Sequence, residues 1–163
     1  MMDMHMQQGD VYCDDWVPSP SHEELVTANV NPQTGLATDF LNLFNEYIML
    51  AELVHDGSME QDVLSDWLPI DYETHFARSG FAGARTVLDA FRSLQCARRR
   101  AFEAAVEQLI DLILVHQEQD DPCPDLFARI RQQRDVVAGL IHETPAEAED
   151  VAATQSAIDD LFD

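Results

Sequence analysis

Apolar residues recur three and four positions apart over most of the chain, the spacing that gathers them on one face of a helix. The first 36 residues depart from this: Pro18, Pro20, Pro32 and Gly35 are scattered among polar groups without a sustained period, so residues 1–36 are predicted to be irregular or extended. From Thr38 the pattern sharpens. Phe40, Phe44, Tyr47, Ile48, Ala51 and Val54 form one stripe, Thr38 or Asp39 can cap its start, and Gly57 can close it as a C-terminal glycine. Ser58 and Gln61 have capping-box spacing and predict a short helix ending near Trp67 and Pro69. Asp71 can cap another that reaches Arg78 and is broken by Gly80 and Gly83. A helix over 84–94 puts Val87, Leu88 and Phe91 on one side.

The longest predicted helix covers 97–118, with Phe102, Val106, Leu109, Ile110, Ile113 and Leu114 inward, and Asp120, Asp121, Pro122 and Pro124 end it. A last one over 125–141 buries Leu126, Ile130, Val137 and Ile141. No stretch alternates with the period of a strand. The expected fold class is therefore all-α: a helical bundle domain over 37–142, orthogonal or up-and-down, preceded by the irregular segment and followed by a flexible acidic tail.

Charge narrows the partners. The 163 residues carry 31 Asp and Glu against nine basic residues, all arginine, for a net charge of -22. Residues 1–77 hold fifteen acids and no base, 78–134 hold all nine arginines and eight acids, and 135–163 hold eight acids. The chain thus reads as an acidic head, a nearly neutral middle and an acidic tail. Such a field repels nucleic acid and anionic lipid and draws basic protein surfaces, so no nucleic-acid partner is expected.

The absence of lysine removes Schiff-base chemistry and the lysine of a phosphate-binding loop, and no GxxxxGK[ST] or GxGxxG pattern occurs. No window approaches the roughly 18 unbroken apolar residues of a membrane span, because Asp111 interrupts even Leu109–Val115. The opening MMDMHMQQGDVYCDDW has neither the basic nor the apolar region of a secretory leader. Cys13, Cys96 and Cys123 are odd in number and far apart, outside any zinc-like spacing. They read as reduced thiols of a cytoplasmic protein, and no metal or cofactor is expected.

From Glu143 the texture changes. Residues 143–153, ETPAEAEDVAA, are small and acidic and read as a linker. Beyond it, Thr154, Gln155, Ile158, Asp159, Leu161 and Phe162 fit the pattern [ST]-Q-x-x-[IV]-D-x-[LI]-[LF]. If this segment turns helical, Ile158, Leu161 and Phe162 share a stripe that Asp159 and Asp160 flank, a shape suited to a groove ringed by basic residues. Burying three such side chains gains ~1.5–3 kcal/mol each, while ordering about nine residues costs ~1–2 kcal/mol apiece. The contact is expected to be weak and quickly reversed.

Residues 154–163 resemble the N-terminal segment of the flagellar motor switch protein FliM and the C-terminal tail of the chemotaxis phosphatase CheZ, both of which bind phosphorylated CheY. The resemblance is confined to this segment and implies a CheY-like response regulator as partner, in chemotaxis or motility signalling. The residues by themselves leave a second course open, in which Ile158, Leu161 and Phe162 fold back as a final helix of the bundle.

Catalytic signals are sparse. Activity of the CheZ type would need an acid and a glutamine as D/E-x-x-x-Q on a long helix, since residues four apart share a face. The match here is Asp3 with Gln7, in the N-terminal segment. Phosphatases resembling CheC and CheX use E-x-x-N, and Asp39-Phe40-Leu41-Asn42 is a near match, with a capping Asp and a solvent-facing Asn as the plain alternative. Gln117 and Gln119 lack an acid at the required spacing. Glu52 and His55 form an E-x-x-H without a second copy, and His55 is expected at a helix C-terminus, where the dipole favours its charge.

Arg98, Arg99 and Arg100 form the one basic run, which can meet an acidic partner, the chain's own acidic head, or solvent. No serine has a GxSxG context. The leading expectation is a non-enzymatic signalling adaptor. The alternatives are a divergent response-regulator phosphatase and an acidic helical protein that binds a basic protein; a homodimer through the bundle also stays open.

Overall fold

The computed structural model describes residues 12–120 and 124–142. Over these it has six α-helices: α1 (His22–Thr27), α2 (Leu41–His55), α3 (Tyr72–Arg78), α4 (Ala84–Arg92), α5 (Cys96–Glu118) and α6 (Pro124–His142), with 3-10 turns at Thr38–Phe40 and Gln61–Asp66. The fold is all-α. Among the described residues there is no strand, only isolated bridges between Tyr12 and Gln95 and between Val30 and Ala37. No described helix is long and apolar enough to cross a membrane.

The long helices form where the 3.6-residue stripe was strongest, and each buries that stripe. α2 contributes Phe44, Tyr47, Ile48 and Ala51, α5 contributes Phe102, Val106, Leu109 and Ile113, and α6 contributes Phe127, Ile130, Val137 and Ile141. Two positions depart from expectation. Leu114 is 37% exposed, and Leu126 is half-buried while Phe127 is inside. The buried set on α5 runs 102, 106, 109, 113, 116, and a residue one place beyond Ile113 is turned about 100° away from that line.

A cluster of rings joins the shorter elements to this body. Phe40 meets Phe44 at 5.2 Å, Tyr72 at 5.1 Å and Phe102 at 6.2 Å, and Tyr72 meets Phe91 at 4.7 Å. The buried Tyr72 hydroxyl accepts the Ala37 amide at 2.9 Å, so its polar end is satisfied inside the core. The segment between α2 and α3 is pinned by Trp67 Nε1, which donates to the Leu43 carbonyl at 2.9 Å.

Caps follow the predictions unevenly. Asp71 Oδ1 accepts the Thr74 amide at 2.7 Å, and Gly57 closes α2 with φ +85°, a conformation without penalty for glycine. Neither Thr38 nor Asp39 caps the next helix, because the chain enters α2 through a 3-10 turn and the Asp39 carboxylate is taken by the Asn42 amide. Ser58 forms no capping box either. Its amide donates to Asp56 Oδ1 at 2.8 Å, and Gln61 Nε2 reaches across to the Gln119 carbonyl at 3.2 Å.

Residues 12–36, expected to be mainly irregular or extended, are so apart from one short helix. They contain α1, whose Ser21 hydroxyl accepts the Glu24 amide at 3.1 Å and whose end is turned by Asn29 at φ +62°. Leu25, Ala28, Val30 and Leu36 are buried in the shared core. Asn31 and Thr34 donate to the carbonyls of His142 and Ile141, so the segment also covers the end of α6.

Cys13 and Cys96 overturn another expectation. They form a disulfide, with Cα atoms 5.0 Å apart and a sequence separation of 83, and are not free thiols.

Candidate functional site

The near-match to E-x-x-N lies at the entry to α2. Asp39 and Asn42 are three residues apart on one face, and Asn42 Nδ2 donates to Asp39 Oδ1 at 3.1 Å. Asp39 Oδ2 stands 3.5 Å from His75 Nε2 on α3, and the His75 ring lies edge-on to Phe40 at 5.5 Å. Asp39 therefore caps no helix; its half-exposed carboxylate accepts from Asn42 and faces His75 Nε2, which has no hydrogen-bond partner. Asn42 is exposed, but its amide is held by its own acid instead of being free to orient a water.

The other residues singled out by spacing have structural employment. Gln117 Nε2 donates to the carbonyls of Leu64 at 2.7 Å and Trp67 at 2.9 Å. Glu52 is bound by Arg131, whose guanidinium sits 4.4 Å above the Phe127 ring. His55 ends α2, as its position at the dipole's negative end predicts. Asp3 and Gln7 lie outside the described residues, as do Thr154, Gln155, Ile158, Asp159, Asp160, Leu161 and Phe162.

Two groupings stand out, of which the sequence left the first unread and the second as one of three open roles. His116 is fully buried, and its Nδ1 lies 2.6 Å from the Tyr47 hydroxyl, while Nε2 has no hydrogen-bond partner. Burial, with a smaller push from nearby His55, lowers its pKa from 6.5 to about 4. The ring is neutral at pH 7. A signal was present, since His116 falls on the inward line of α5 three residues past Ile113.

The second grouping centres on Arg99 of the basic run. Its guanidinium lies 4.7 Å over the Phe91 ring and binds Asp15 and Glu73, with Nη2 at 3.0 Å from Glu73 Oε1 and Nε 3.3 Å from Glu103 Oε1. Asp15 belongs to the acidic head, so of the three roles open to the run, Arg99 takes the intramolecular one. Its hydrogen bond holds the Asp15 carboxyl below the usual carboxylate range, and Asp15 in turn raises the guanidinium's pKa. Trp16 Nε1 donates to the Ser93 carbonyl at 3.1 Å beside the Cys13–Cys96 bridge, so covalent, ionic and hydrogen-bonded contacts all fix residues 12–17 at the start of α5.

Next to Arg99 opens a cavity of about 330 Å³. Tyr72, Phe91, Phe102, Val106 and Ile110 supply its apolar wall. Asp71, Glu73, Glu103 and Glu107 supply carboxylates, and Arg99 is the one cation among the described residues that line it.

No protein-family model matches the chain, and no curated protein or solved structure matches it. Fold and side chains define, over the described residues, an all-helical bundle with an aromatic core and an acid-rimmed cavity beside Arg99.

Proposed function

We propose that the chain is a signalling adaptor that binds a CheY-like response regulator through residues 154–163, with the helical bundle as the body that carries them. The observation that carries this reading is the pattern of Thr154, Gln155, Ile158, Asp159, Leu161 and Phe162 beyond the acidic stretch 143–153. Its apolar stripe flanked by Asp159 and Asp160 suits a groove edged with basic residues. Titrating a synthetic 150–163 peptide against phosphorylated and unphosphorylated CheY tests it. Tighter binding to the phosphorylated form is expected, and equal or absent binding refutes the reading.

The reading includes a cytoplasmic location, where the Cys13–Cys96 bridge faces a reducing thiol pool. It also allows two copies to pair through α5 and α6, where Leu114, Val115 and Val136 are exposed. The second reading, a response-regulator phosphatase, draws on the contact between Asp39 and Asn42. It requires Asn42 to leave Asp39 and face the phosphoryl group. An unchanged rate of regulator dephosphorylation on adding the protein removes it.

A further inference from the structure

The cavity beside Arg99 joins an apolar wall to an anionic rim, the two halves of a receptor for a long basic side chain. Methylene groups pack on Ile110 and on the edges of the otherwise buried Tyr72, Phe102 and Val106, while the cationic head meets carboxylates. Arg99 is shared among Asp15, Glu73 and Glu103, and Arg92 also faces Asp15 and Glu73, so two cations offset part of the charge while Asp71 and Glu107 keep the rim anionic. A volume of about 330 Å³ accommodates one such side chain.

The acidity continues along α5. Glu103, Glu107 and Asp111 succeed one another four residues apart and are all exposed. Glu107 and Asp111 have no ion-pair partner among the described residues. Like charges at this spacing repel, so a helix keeps them without benefit to its own stability. Successive carboxylates are about 6 Å apart along the axis, close to the distance of about 6.6 Å between alternate residues of an extended peptide.

We propose that this cavity and the Glu103, Glu107, Asp111 stripe bind an extended basic segment of a partner protein, with arginines at alternate positions. One arginine enters the cavity and the next lies over Glu107 and Asp111. This surface belongs to the helical body and is separate from residues 154–163.

The test titrates the full chain, disulfide intact, with the peptide acetyl-Gly-Arg-Ala-Arg-Gly-amide and follows amide resonances by NMR at low and high salt. Saturable shifts confined to the start of α3 and to residues 99–111 are expected, weakening as salt rises. Replacing both arginines by citrulline, which keeps shape and removes charge, should weaken binding at least tenfold, as should the double variant E103Q/E107Q. The single variant Asp111→Asn should weaken it less. Deleting 154–163 should leave binding unchanged, which separates this result from the regulator-binding reading. Unsaturable shifts spread over the acidic surface, or equal binding of the citrulline peptide, overturn the proposal.

Discussion

Replacing His116 by glutamine isolates one buried titration. The native ring has a pKa of about 4 against 6.5 for an accessible imidazole, because it is fully buried between α2 and α6 with His55 nearby. A neutral imidazole serves the Tyr47 hydroxyl in either tautomer; an imidazolium can only donate to it. As pH falls below 6.5 the unfolded chain takes up the proton first, so stability is lost progressively down to the folded pKa and is fully present above 6.5. Between pH 7.5 and pH 5.0 the linkage amounts to about 2 kcal/mol.

Glutamine offers Tyr47 a polar partner and does not titrate, so its packing cost enters as a constant. Urea unfolding at fixed ionic strength, followed by tryptophan fluorescence, reads both proteins, and pH 5.0 stays above the isoelectric point near 4.2. The stability advantage of the native chain over His116→Gln should shrink by about 2 kcal/mol across this window. The depressed carboxyls of Asp15 and Asp56 lose their contributions only as pH falls below about 4, outside the window. Parallel pH curves for the two proteins would refute the assignment of a buried, neutral His116.

Asp71→Ala removes the oxygen that receives the Thr74 amide, and should lower unfolding stability by about 1 kcal/mol; an unchanged urea midpoint would show that the cap contributes nothing. Thiol titration in denaturant without reductant should find one thiol per chain, rising to three after reduction, because Cys13 and Cys96 are bridged. Closing a loop over 83 positions removes about 4.5 kcal/mol of entropy from the unfolded chain, an upper figure against which reduction should cost about 2–4 kcal/mol of stability. Three thiols before reduction would contradict the bridge.

What the amino-acid order determined by itself is local. The stripes of α2, α4, α5 and α6, the Asp71 cap of α3 and the Gly57 stop were legible because helical period and capping depend on residues within a few positions of one another. α1 had its signals as well, Ser21 with Glu24 and then Asn29, but one buried leucine in six residues makes no period. The terminal pattern around Ile158, Leu161 and Phe162 is likewise visible only as sequence.

Only the tertiary structure decided which competing partners met. Asp39 had a helix start to cap and an Asn42 amide to accept, and the 3-10 entry to α2 settled it. Cys13 found Cys96 and Asp15 found Arg99 across more than eighty residues, Tyr47 met His116 across 69, and the acid-rimmed cavity arose from three helices that share no local pattern. Such encounters depend on how helices pack, and packing is set by the summed burial of many side chains, so no spacing along the chain encodes them.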